Sequence, residues 1–296
     1  MNKNKVKLAI SPIAWTNDDL PDLGKENTFE QCVSEMALAG FSGSEVGNKY
    51  PKDPAILKPM LDLRGISICN QWFSSFLTTQ NLDDVIKDFN NQLDFLEAMG
   101  ANIIGPAEQG NSIQGKNVSV FDSKPTFSDQ QWKKVAEGLN ILGKIASERG
   151  FKLSYHHHMG TGCQTIEETK KLMDLTDKRY VYLTFDSAHF AFSDEDPVEA
   201  LNLFIDRVAH VHLKDIRKQV IEKVRKEKLS FLNAVREGAF TIPGDGCIDF
   251  PSIFKILEEH HYEGWMVVEV EQDPAKANPL EYAIRARKYI RENTGL

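Results

Sequence analysis

Short runs rich in β-branched and apolar residues recur along the chain, and each alternates with a stretch whose apolar positions return every three or four residues. The runs at 6–11, 42–46, 66–73, 102–107, 152–157, 181–186, 208–214 and 265–271 predict strands. The stretches at 28–40, 54–65, 82–100, 128–150, 165–176, 197–207, 251–261 and 279–293 predict helices. Gly40, Gly65, Gly100 and Gly150 stand just after helices, where a left-handed cap residue belongs, and Ser128 supplies an N-cap hydroxyl.

Strand and helix alternate eight times with no Pro/Gly/Ser-rich linker between them, which predicts an α/β fold made of a single (β/α)8 TIM barrel rather than two doubly wound halves. The chain is then one domain over 1–296, with an insertion at about 215–249 after the seventh strand. A connection at 108–127 is also long, and both follow strand C-termini, the side where barrel enzymes keep their active sites. The second holds a charged helical segment at 219–229 and a turn-rich stretch at 239–246 that reads as a lid or wall.

Barrel geometry would converge the strand ends on one mouth, and those positions hold Glu45, Asn70, Gln71, Glu108, His156, His158, Asp186, His212, Lys214, Glu269 and Glu271. So many ionisable groups on buried strands call for a use, such as metal ligation or proton transfer. Alternation puts His156 and His158 on one face and His157 on the other, and imidazoles suit Zn, Mn, Fe and Co. A lone histidine is as readily packed in a core; the pair favours function. Asp186, His212 and a last-strand glutamate would suit a divalent cation that keeps positions open for substrate oxygens. His210 and Lys214 share the face of His212, and Lys214 alternatively pairs with Asp215. Glu269 and Glu271 share a face, one a ligand and the other its partner. Glu45 reads as a general acid or base, or as an ion-pair partner of Arg64 or Lys49. Trp15, Trp72 and Phe73 are either core and rim packing or the apolar wall that a sugar ring uses.

Composition narrows the partners. With 43 acidic against 35 basic residues and a net charge of −8, no basic face is offered to nucleic acid. No run approaches the roughly 20 apolar residues of a membrane span, and the opening lacks a secretory leader's continuous apolar core. Cys32, Cys69, Cys163 and Cys247 show no paired spacing and read as free thiols of a cytoplasmic protein.

The segments 155–161 (YHHHMGT), 186–189 (DSAH), 210–215 (HVHLKD), 242–250 (IPGDGCIDF) and 264–274 (GWMVVEVEQDP), with 43–47 and Tyr50-Pro51, closely resemble the inosose dehydratase family of the xylose-isomerase-like barrels. The resemblance spans almost the whole chain; DxxH and HxK recur across the superfamily, whereas PGDG and EQDP are specific to this family. It implies a lyase that removes water from the small cyclitol 2-keto-myo-inositol (scyllo-inosose) to give a diketone in myo-inositol catabolism, with Mn²⁺ or Co²⁺ as the metal and an associated glutathione requirement. The superfamily's Glu, Asp, His and Glu ligands carry over to Asp186, His212 and Glu269. His156 stands where many relatives have the first glutamate, which leaves the fourth ligand among His156, His158 and a more distant carboxylate.

Dehydration beside a ketone needs a group to take a proton from carbon and one to protonate the departing hydroxyl. Lys214 or His189 are the candidates, with Glu45 and Glu108 in reserve, and Trp15, Trp72, His158, Arg217 and Glu271 are expected at the substrate. The rival readings are a metal-dependent sugar or inosose isomerase or epimerase sharing the enolate, a nuclease that the net charge opposes, and a decayed sugar-binding barrel that the intact motifs oppose. The outer helices leave room for a homo-oligomer.

Overall fold

The computed structural model describes residues 1–296. Its strands are β1 (Val6–Ile10), β2 (Gly43–Glu45), β3 (Ser67–Asn70), β4 (Trp72–Ser75), β5 (Ile103–Glu108), β6 (Lys152–His156), β7 (Val181–Asp186), β8 (Val208–Leu213), β9 (Asp215–Ile216), β10 (Phe240–Thr241) and β11 (Gly264–Val268). The helices are α1 (Phe29–Leu38), α2 (Pro54–Asp62), α3 (Leu82–Ala98), α4 (Asp129–Glu148), α5 (Ile166–Leu175), α6 (Ser187–Phe192), α7 (Pro197–Phe204), α8 (Lys218–Glu227), α9 (Phe231–Arg236), α10 (Phe250–Glu259) and α11 (Pro279–Thr294).

All strands but β9 and β10 form one parallel sheet in the order β3-β2-β1-β11-β8-β7-β6-β5-β4. The run expected as one strand at 66–73 is two, interrupted at Gln71: β3 pairs with β2 and β4 with β5. These two pieces of one segment bring the ends of the sheet together, so the barrel has eight positions. A register shift between Ser44 and Glu45 falls at the same level as that interruption. β1 and β11, the first and last strands, pair along their whole length from Val6 with Gly264 to Ile10 with Val268.

Local chemistry fixes the helix ends. Ser128 and Thr165 each form a capping box, the side chain accepting from the backbone N–H of Gln131 or Glu168 while that residue's side chain returns to the cap. The four glycines expected after helices all have positive φ. Ala9, Cys69 and Val267 are buried together with the Trp265 indole packed against them, and that indole leaves no room for a side chain at residue 43: a Cβ on Gly43 would lie 2.4 Å from its Cζ3.

Between β8 and α10 the chain leaves the barrel. β9 and β10 pair antiparallel, α8 covers the charged segment expected to be helical, and a second apolar cluster including Phe192, Phe231 and Phe240 packs this excursion onto the mouth. The stretch expected as a lid or wall, 239–246, is organised by the Asp215 carboxylate. Its Oδ2 accepts from the N–H groups of Gly244 (3.1 Å) and Gly246 (3.0 Å), and its Oδ1 from those of Ile216, Cys247 and Ile248. Asp215 therefore serves the loop and is not the partner of Lys214. Cys32, Cys69 and Cys163 are buried free thiols and Cys247 is an exposed one. No helix is long and apolar enough to cross a membrane.

Candidate active site

The C-terminal strand ends surround a cavity of about 490 Å³. β6 brings His156 to it as its last residue, β8 brings His212, and Glu269 follows directly on β11, while Asp186, the last residue of β7, is wholly buried just behind this wall. His156 Nε2 lies 3.5 Å from Asp186 Oδ2. His212 Nδ1 lies 3.5 Å from that same oxygen and 2.6 Å from Glu269 Oε2. Asp186 Oδ1 is already committed, because it caps α6 by accepting from the N–H groups of Ala188 and His189, both at 2.9 Å. Its Oδ2 remains, and Asp186 Oδ2, His156 Nε2 and His212 Nδ1 are all buried without a well-aligned hydrogen bond, the approach of His212 Nδ1 to Glu269 Oε2 being an ion-pair contact. Unpaired buried polar atoms are rare and need a reason. Two imidazole nitrogens facing carboxylate oxygens form a donor set for a divalent cation, and one ligand atom from each of His156, Asp186 and His212 lies within 4.8 Å of the others.

The groups charge one another. Burial opposes ionisation of Asp186, yet His189, His156, His212 and Lys214 hold its carboxyl well below the usual range. Burial likewise opposes a charged His212, and the carboxylates of Glu269 and Glu45 nevertheless hold it well above the ordinary imidazole value. Glu271 lines the cavity with Oε2 unpaired. Burial, and Glu269 beside it, raise its carboxyl to about 7 against the pull of Lys214.

Lys214, expected to move protons, is 0% exposed and has no place on the cavity wall. Its Nζ donates to Glu269 Oε1 (2.8 Å) and Glu271 Oε1 (3.1 Å) and sits 4.3 Å over the Phe240 ring. It is a buried cation that aligns two carboxylates. His189, the other expected proton carrier, is also off the wall. It lies behind Asp186 with Nε2 3.8 Å from Oδ2, beside Phe231 and Phe240, and burial keeps the ring neutral. His158 does line the cavity. Its Nδ1 is 2.8 Å from the Met159 carbonyl, which can only accept, so Nδ1 carries the hydrogen; burial lowers the ring to about 3, leaving Nε2 bare. Trp72 forms the aromatic wall, edge-on to His156 and His158. His157, on the opposite face, stacks on Phe190 and accepts the Asp186 N–H.

Three other expected residues lie elsewhere. Trp15 is wholly buried, its Nε1 donating to Glu35 Oε2 at 2.6 Å, because a large apolar ring near a strand end is drawn into the core. Arg217 spends its guanidinium on the insertion, bonding the carbonyls of Gly238 and Phe240, Thr241 Oγ1 and Asp245 Oδ2. Glu108 accepts from Ser75 Oγ, the Leu77, Thr78 and Gly110 N–H groups and Thr78 Oγ1, tying together the loops after β4 and β5. With five donors on one carboxylate, it is a loop clamp. Glu45, in contrast, does line the cavity, and it contacts neither Arg64 nor Lys49: its Oε1 meets His210 and His212.

Sequence reasoning missed Asp18, Asp19 and Gln114 at the cavity edge. Gln114 Nε2 donates to Asp19 Oδ2 at 2.7 Å, bridging the loops after β1 and β5. The signal was an acidic pair in the first loop on the catalytic side.

The model of the xylose isomerase-like TIM barrel family matches residues 33–293. A protein of Clostridium beijerinckii named inosose dehydratase is 60% identical over 296 residues, covering 100% of this chain and 99% of that one. One of Clostridium perfringens with the same name is 61% identical over 297 residues and 100% of both chains. Among solved structures, the IOLI protein with a bound zinc atom superposes with a TM-score of 0.73 at 15% identity over 98% of each chain. The probable 3-DHS dehydratase AsbF of Bacillus anthracis gives 0.72 at 14% identity over 96% of this chain and 98% of that one. At such identities these two structures share the fold.

Proposed function

The chain belongs to the inosose dehydratase family within the xylose isomerase-like TIM barrels, and from that premise we propose that it removes water from 2-keto-myo-inositol (scyllo-inosose) to give a diketone in myo-inositol catabolism. The observation that carries this is the set of buried ligand atoms on His156, Asp186 and His212 that lack a well-aligned hydrogen bond, with Glu269 beside them, at and just behind one wall of a cavity of about 490 Å³. These four residues are the proposed holders of a divalent cation, Mn²⁺ or Co²⁺. Such a cation supplies Lewis acidity toward a ketone oxygen and a neighbouring hydroxyl.

The protein's own part is to move two protons in a confined space. Glu271 is the proposed proton-transfer group: its Oε2 is unpaired and its carboxyl, raised to about 7, can give or take a proton near neutrality. Lys214 keeps Glu271 and Glu269 apart in role by holding one oxygen of each. His158 Nε2 is a second bare acceptor on the same wall, and Trp72 faces the ring carbons of the cyclitol. A cytoplasmic location, a glutathione requirement and homo-oligomerisation through the outer helices belong to the same reading and rest on the resemblance.

The test is a metal-stripped protein, reconstituted with Mn²⁺ or Co²⁺ and given 2-keto-myo-inositol, followed by product absorbance and mass. Metal-dependent loss of one water supports the proposal. Solvent deuterium entering the substrate without loss of water would move the activity to an isomerase or epimerase, and failure to bind metal would remove the site on which both readings rest.

A further inference from the structure

Glu45 ends β2, while His210 and His212 belong to β8, 165 and 167 residues further along the chain. Across the barrel, Glu45 Oε1 is 3.1 Å from His210 Nε2, 3.0 Å from His212 Nε2 and 2.8 Å from Asn70 Nδ2. A carboxylate only accepts, so all three nitrogens donate to one oxygen. On His212 this commits Nε2 to carrying a hydrogen and turns Nδ1 toward Asp186 Oδ2 and Glu269 Oε2.

We propose that Glu45 is a positioning residue rather than an acid or base: it fixes the ring of His212, with the hydrogen on Nε2, so that Nδ1 is the nitrogen offered to the cation. Carboxylates in this relation to a ligating histidine orient the ring and select its tautomer, and their loss weakens metal affinity about 10- to 100-fold. His210 takes the neighbouring place on the same oxygen. It is wholly buried and off the cavity wall, and its N–H keeps Oε1 from turning toward the substrate. Asn70 closes the arrangement from β3. The inference rests on the metal reading above, and it removes Glu45 from the list of proton carriers.

Two measurements test it, both with Zn²⁺ alone as the probe because it is diamagnetic. In ¹⁵N-histidine spectra of the zinc-loaded wild-type protein, His212 is expected to show a protonated Nε2 and a metal-bound Nδ1. In zinc titrations, Glu45→Ala is expected to bind about 10- to 100-fold more weakly, while Glu45→Gln, which keeps an acceptor oxygen but cannot ionise, stays close to wild type and retains the Nε2–H signal. Zinc bound through His212 Nε2, or an alanine variant that binds as tightly as wild type, would overturn the proposal while leaving the metal site standing. A glutamine variant as weak as the alanine one would also overturn it, since charge rather than positioning would then be what Glu45 provides. A wild-type protein that takes up no zinc would sink the metal reading itself. The wild-type spectrum does not depend on any variant folding.

Discussion

Lys214 is wholly buried, and its ammonium is paired with Glu269 and Glu271. Removing one partner from a buried charge set costs about 3–5 kcal/mol, because the others stay buried and unpaired. Lys214→Met is therefore expected to lower the denaturation midpoint sharply, as well as activity, in urea melts. Asp186→Asn separates two roles of one side chain: the amide oxygen still caps α6, so the helix keeps its cap, while the loss of the charge should lower the metal content measured on the purified protein. The buried histidines set an acid limit. His157 and His158 are pushed down to about 3 by burial, against about 6.5 in the unfolded chain. The unfolded state then binds more protons, so stability present above pH 6.5 is lost as pH falls from about 6.5 toward 3. Glu271 and Asp18, raised to about 7 and about 6, pull the other way only until their unfolded values near 4 are reached. Thermal melts from pH 7.5 to 4 should show the steepest loss at the acid end; a flat profile would mean the rings are not held neutral. At this scale the sequence told which residues arrive at the mouth, because strand alternation does so for His156, His158, Asp186 and His212. It did not tell what they touch. Glu45 meets His212 across the barrel, and the heads of Trp15 and Arg217 find partners away from the cavity.

Among elements, those with long periodic faces and side-chain caps were legible, α4 and α5 above all. The six-residue helices α6 and α9 were not, since a turn and a half gives no readable period. Nor was the interruption at Gln71, which follows from pairing with different neighbours on either side. The site itself sits just past element ends: β11 stops at Val268, and Glu269 and Glu271 follow on extended chain held by Lys214. The wall of the mouth depends on the turn around Asp215. There, a Cβ on Gly246 would fall 2.3 Å from Asp215 Oδ1 and 2.3 Å from the Ile216 carbonyl oxygen. Gly246→Ala should cost about 1–3 kcal/mol and loosen this wall, seen as a lower melting temperature and faster proteolysis within the insertion.

For the whole molecule, the fold was readable because eight alternations without a linker admit few architectures, and one closed barrel satisfies them all. The closure is circular: β11 pairs with β1 on one side and β8 on the other. Seen during synthesis, this has a consequence. As the chain leaves the ribosome from its first strand onward, β1 has no partner on one edge, and Lys214, Asp186 and the histidines around them are already made while Glu269 and Glu271 are not. Neither the barrel nor the charge balance of its mouth can be completed until the last strand is free of the exit tunnel. Until then the nascent chain carries an open sheet edge and a cation without its two carboxylates, so one event, the joining of β11 to β1 and β8, both closes the barrel and assembles its mouth.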